Sequence, residues 1–295
     1  MITMKYAILL LAGLQSSCIH TQNASNSNSL EKQLQTGADV YVEGRTFSDD
    51  LDFTKILPSN LISEGVFQGK TTSSVTFRNC TFKGAVLAYK KESETKSLLT
   101  SFLSNVSFLN CTFEKEVNFR GCSIQGLADF SRSTFKAGAV FEESGFAQNA
   151  FFNNCIFAEE TRFQNAFFHR KTTFMEARFD RNVSFQSAVF FADVQFSVAK
   201  FYGYADFSLI HCHQGAFFNY GEFTDRAHFN NATFGGRLDF IKVLVNKGNF
   251  QKCYFSREAR FQQCEINTQL DLQGSFFFTG IQEDLWGLEK EKILR

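Results

Sequence analysis

Residues 128–174 read ADFSRSTFKAGAVFEESGFAQNAFFNNCIFAEETRFQNAFFHRKTTF. Phe130, Phe141, Phe152, Phe163 and Phe174 stand on every eleventh position, and Phe135, Phe146, Phe157 and Phe168 follow five residues behind the first four. Followed outward, the first series is unbroken from Phe108 to Phe240. With 39 Phe in 295 residues, chance would produce such a run with a probability on the order of 10⁻¹¹, so this is an internal repeat. The second series runs from Phe113 to Val245 and departs from Phe only at Ile124, Cys212 and Val245.

Two residues before each centre sits a small or β-branched residue, such as Val106, Val117, Ala128 and Ala139, or Cys111, Cys122, Ser133 and Ser144. Polar residues fill the rest, so each unit reads small, any, Phe, polar, polar. Spacings alternate between five and six. A helix face needs a period of 3.6 and a plain strand a period of 2, and neither divides this pattern. One large and one small inward side chain per unit suit a narrow coil that turns a corner once per unit.

This grammar resembles the pentapeptide-repeat family in its Phe-rich form with alternating five- and six-residue units. The resemblance covers Val106 to Phe278, with outlying units at Val75 to Tyr89 and Val40 to Phe53. It implies an all-β fold, a right-handed quadrilateral β-helix in which each unit forms one side and 22 residues complete a coil. The ruler slips after Val245, where the next centres are Phe250, Phe255, Phe261, Ile266, Leu272 and Phe277, and a local distortion is expected at Asn246 to Asn249. Lys90 to Asn105 breaks the pattern and reads as an inserted loop or short helix. Ile281 to Arg295 has helical spacing at Ile281, Leu285 and Leu288. It reads as a short C-terminal capping helix over the last coil, which would otherwise present an open edge.

The N-terminus is different in kind. Lys5, the apolar run Tyr6 to Leu14 and then Gln15-Ser16-Ser17-Cys18 have the layout of a secretory signal. The apolar run is too short to span a bilayer. Small residues followed by Cys resemble the lipobox of bacterial lipoproteins, although Gln15 stands where those motifs usually carry an aliphatic residue. The resemblance implies lipidation at Cys18, with plain cleavage near Ser17 and secretion as the alternative. Domains follow: 1–17 signal peptide, 18–29 polar tether, 30–105 partial coils with an insert, 106–279 solenoid and 280–295 cap helix. The expected location is the cell envelope, reached by export and held to the membrane through Cys18.

Composition narrows the functional classes. A chain so rich in Phe, with Pro58 as its one proline, is not disordered or collagen-like. Thirty basic and thirty acidic residues cancel, which removes the electrostatic footprint of a nucleic-acid binder. Some pentapeptide-repeat proteins bind DNA gyrase as DNA mimics, and neutral charge together with an export signal opposes that role. The partners expected are a protein or another cell-envelope component, no nucleic acid and no cofactor, with a homo-oligomer left open.

Residues 22 apart stack, so the faces can be searched for chemistry. Ser184, Asp206 and His228 share a column, but a hydrolase relay needs His between Ser and the acid. Glu142 faces Arg120 and Glu222 faces Lys200, as solvated ion pairs. Phosphate loops, HExxH, CxxC and nucleophile elbows do not occur. What remains is a patch of Phe167, His169, Arg170, Lys171, Phe191, His211 and His213 on one side of three coils, which suits a non-catalytic structural or protein-interaction scaffold, the alternative being a glycan-binding protein or an enzyme on a β-solenoid surface. Phe151, Phe217, Tyr202, Tyr204 and Tyr220 offer a weaker surface. No catalytic or metal-binding residues are assigned. The cysteines occupy inward positions, none 22 from another, and read as buried free thiols. The sequons at Asn79, Asn110 and Asn182 follow from the repeat grammar alone.

Overall fold

The computed structural model describes residues 27–279 and 290–294. Four walls of short parallel strands rise around one core. The first wall is a ten-stranded sheet whose strands begin at Val40, Val75, Val106, Ala128, Ala150, Thr172, Val194, Ala216, Leu238 and Ala259. From Val106 to Leu238 each step is one 22-residue coil, with Ala128 opposite Ala150 and Ala150 opposite Thr172. The second wall carries Phe113, Phe135 and Phe157 in register, the third Val117, Ala139 and Thr161, and the fourth Ile124, Phe146 and Phe168. This four-sided β-solenoid is the fold that the resemblance implies.

Corners explain why the units tolerate so little variation. Each coil turns twice through a left-handed residue, at eleven-residue intervals that include Asn110, Gly121, Arg132, Glu143, Asn154 and Asn165. Such turns need φ > 0 at one position. Behind them, the inward small side chain ties the corner together: Ser133 Oγ donates to the Phe108 carbonyl at 2.7 Å and Cys155 Sγ to that of Phe130 at 3.0 Å. Between coils, backbone bonds such as Phe119 N–H to the Val140 carbonyl, 2.8 Å, repeat up each wall. Proline would forfeit these donors.

The core is built of ring stacks. Phe146 lies 4.8 Å from Phe168 and parallel to it, while neighbouring columns meet edge-on, as Phe152 and Phe163 do at 5.2 Å and 82°. Edge-to-face contact between columns and offset stacking within them are the arrangements that ring quadrupoles favour. Each buried ring contributes about 1.5–3 kcal/mol by removal from water. Phe47 and Phe277 are half-buried and extend the stacks, and the phenylalanines outside this core are Phe67, Phe151, Phe167, Phe191, Phe217, Phe276 and Phe278.

The slip falls where the ruler places it. Strand Leu244–Asn249 is one residue shorter than its neighbours Glu222–His228 and Glu265–Asp271, with register shifts on both sides of Asn246. Val245 also removes a ring from the second wall, and Phe240 tilts 38° from Phe218 and aligns with Phe223 instead. A shortened corner and a missing ring are thus one defect.

Three expectations are corrected. Lys90 to Asn105 is neither loop nor helix: Tyr89–Ser93 and Lys96–Phe102 form an antiparallel hairpin whose second strand continues as the fourth wall. A second hairpin, Ser59–Ser63 with Val66–Thr71, lies beneath it unforeseen. The tether ends earlier than expected, because helix α1, Ser27–Thr36, begins inside it and buries Leu34 against the first coil. A short helix α2, Phe53–Ile56, capped by Asp52 Oδ1 accepting from Thr54 N–H, completes this end. At the other end, 280–289 of the expected cap helix lies outside the described residues. There, Lys290–Lys292 is a 3₁₀ turn, and Ile293–Leu294 is a strand paired with Leu270–Asp271.

Candidate functional site

On the fourth wall the inward column Phe168, Phe190, Cys212 is flanked by two outward ones. Phe167, Val189 and His211 are paired in register along one side. His169, Phe191 and His213 stack along the other. Phe191 lies 4.8 Å from His169 at 4° and 4.8 Å from His213 at 11°. The three rings therefore form a rigid ladder along the coil axis, with both faces of Phe191 covered. Only ring edges point to solvent in the middle of the ladder. Arg170 and Lys171 continue from His169 at the next corner, and both are exposed.

His211 packs against His213 with ring centroids 4.3 Å apart. Burial, and then the neighbouring His213, lower its pKa from the ordinary histidine value. Phe167 and Phe191 are exposed, at 44% and 39% of their full surface, in a chain that buries most of its phenylalanines. The structure thus brings Phe167, His169, Phe191, His211 and His213 onto one two-column surface and sets Arg170 at its margin. Among the described residues, no group of three or more His, Cys, Asp or Glu side chains is placed to hold a metal ion.

The other aromatics do not merge into a second surface. Tyr202 lies under Arg178 at 5.4 Å, Phe217 under Arg237 at 5.3 Å and Tyr220 under Lys242 at 5.5 Å, each a separate cation–π pair. The Tyr204 hydroxyl meets His228 Nδ1. That contact engages Nδ1, the nitrogen of His228 that lies 3.8 Å from Asp206 Oδ1 in the Ser184, Asp206, His228 column. Asp206 Oδ1 accepts from Ser208 N–H, Ser184 Oγ from Gln186 N–H, and Asp206 stands between Ser184 and His228 in the register. Glu142 bridges Arg120 and Arg162 at 3.2 and 3.6 Å, and Lys200 reaches Glu222 at 3.7 Å.

Asn79 and Asn110 hold left-handed corners, and the Asn110 amide donates to Asn79 Oδ1 at 2.7 Å. Asn182 Oδ1 accepts from Tyr204 N–H at 3.0 Å. All three sequon asparagines have this structural employment. Cys18 lies outside the described residues. Each described cysteine is free, and all but Cys264 are buried.

One juxtaposition escaped the ruler. The coil from Val75 to Val106 spans 31 residues because it holds a hairpin, so Thr81 pairs with Thr112 and Cys80 stands beneath Cys111. A search for separations of 22 cannot find that pair. The separation of 31 between the Val75 and Val106 units was its only trace in the sequence.

A family model described as Pentapeptide repeats (9 copies) matches residues 100–145 and 196–244. Residues 146–195, between the two matches, keep the same register from coil to coil. No curated protein matches the chain. Ruler, four-walled coil and family match agree, and the chain is a pentapeptide-repeat protein.

Proposed function

We propose that this protein is a non-catalytic interaction scaffold, exported and tethered at the cell envelope through Cys18, that engages a protein partner with its fourth wall. The observation that carries the reading is the His169–Phe191–His213 ladder beside exposed Phe167. Rings held by stacking lose little freedom on docking, and aromatic anchors with a basic margin are typical of interface centres. A glycan prefers an open ring face, and here Phe191 offers an edge, which favours the protein reading. The column geometry of Ser184, Asp206 and His228 supports no proton relay.

The test places a photo-crosslinking residue at Gln195, on the adjoining first wall, or at Val189, in the column beside the ladder, in the native host. Val189 is expected to yield a discrete protein adduct that the double variant Phe167→Ser, Phe191→Ser abolishes while its circular dichroism stays unchanged. An adduct equally strong in the double variant overturns the docking site, and binding of an oligosaccharide array in place of protein transfers the site to glycans. Mass spectrometry of the mature N-terminus tests the tether. An acylated Cys18 is the expected result, and an intact Met1 in the cytosol overturns export and anchoring together.

A further inference from the structure

The cysteines divide into two groups by what stacks on them. Cys122 stands between Thr100 and Ser144, Cys155 between Ser133 and Ala177, and Cys253 between Ala232 and Ser275. Cys212 lies between Phe190 and Phe234, and Cys264 follows Val243. None of these meets a second sulfur in its column. Cys80 and Cys111 do: each immediately precedes a strand, the strands pair in register, and both side chains are buried in the core. In-register neighbours on adjacent strands are about 4.8 Å apart, and disulfides bridge Cα separations of about 4.4–6.8 Å.

We propose that Cys80 and Cys111 are a disulfide-forming pair that staples the insert-bearing N-terminal coils to the regular solenoid. The bond would close the one coil that contains the hairpin Tyr89–Phe102. Below it the coils are 35 and 31 residues long, from Val40 to Val75 and from Val75 to Val106. Above it every coil has 22 until the slip. Longer coils cost more entropy to close and sit at an end, where solenoids open first. A covalent tie at this junction acts where the stack is weakest, and it does not depend on the partner or the location proposed above.

The chemistry is thiol–disulfide exchange with a disulfide-bearing oxidant, such as oxidised glutathione. Cys80 as thiolate attacks one sulfur of the oxidant, expelling the other as a thiolate and forming a mixed disulfide. Cys111 as thiolate then attacks the Cys80 sulfur and expels the second half. Two protons and two electrons leave the pair, and the oxidant is reduced to two thiols. The neighbouring Cys111 thiol holds the Cys80 pKa below the ordinary thiol value, and the same neighbour together with burial raises Cys111, so Cys80 is the attacking group.

The full chain, refolded in oxidised glutathione, denatured and alkylated, tests this. Two thiols fewer than in the reduced protein are expected, with one peptide pair linked through Cys80 and Cys111 and lighter by two hydrogens. Cys111→Ser should lose the link yet fold, because Ser133 and Ser144 already serve at equivalent positions. Reduction of the wild type should accelerate amide exchange in residues 40–105 by on the order of a hundredfold, and in Cys111→Ser should change nothing. A full complement of thiols after oxidation, or a link that joins any other two cysteines, overturns the proposal.

Discussion

Val198 sits in a left-handed corner, φ 61°, where a β-branched side chain crowds its own carbonyl. Other corners use Asn, Gly or residues unbranched at Cβ, such as Glu143 and Lys242. Because Val198 is exposed, nothing in the core rewards its bulk. Val198→Asn is expected to stabilise the protein by about 1 kcal/mol, read as a higher urea midpoint with an unchanged slope. His211 acts in the opposite sense. Its folded-state pKa is depressed by burial and by His213, so the unfolded chain binds the proton more tightly. Stability is therefore complete above the unfolded value of about 6.5 and falls as pH drops toward the folded one. His211→Asn should flatten the fall in thermal midpoint between pH 7 and pH 5, and a variant with the wild-type slope would remove His211 from the account.

At the scale of the strand and its ring, a single inward Phe touches a ring above, a ring below and rings at its sides: Phe163 stacks at 4.9 Å on both Phe141 and Phe185 and meets Phe152 and Phe174 edge-on. Phe163→Ala leaves a cavity that the walls cannot collapse, since strand spacing is set by backbone bonds. The expected cost is about 3–5 kcal/mol, measured by denaturant unfolding. Val245→Phe is instructive by contrast. It returns a ring to the column that Phe240 has leaned across, and straightening of Phe240 toward Phe218 is expected in a crystal structure of the variant. The hairpins show the limit of sequence reading at this scale. Ser59–Ser63 and Tyr89–Ser93 are short exposed strands without inward periodicity, and their pairing arises from chain reversal against the second strands, Val66–Thr71 and Lys96–Phe102.

Over the whole molecule, each coil contacts only the coils next to it, so stability adds as coil and interface contributions instead of one cooperative core. Middle coils, with two regular neighbours and continuous ring stacks, must open last. Amide exchange is expected to be slowest for walls between residues 128 and 223 and faster toward both ends, with the coil at the Asn246 slip separating a weaker C-terminal block. Uniform protection along the chain would contradict that additivity. Helices α1 and α2 cover the first coil, and deletion of 27–56 should expose Phe82 and Phe102 and lower solubility. The docking face proposed for the fourth wall lies in the middle block, between residues 167 and 213, where the solenoid is expected to be most rigid.

Much of this was written in the chain. Eleven-residue periodicity places every inward Phe from Phe108 to Phe240, the family resemblance adds the four walls, and the missing residue near Asn246 marks the slip, because side-chain direction along a regular coil depends only on local spacing. Columns such as His169, Phe191 and His213 could be listed for the same reason. Tertiary structure alone decided how tightly the columns stack, which left the edges of Phe191 facing solvent and its faces covered. It alone turned the inserts into hairpins and brought Cys80 under Cys111. Those features depend on what the chain does across a coil of irregular length, where a residue's neighbour is chosen by strand pairing in space and no fixed separation in sequence can name it.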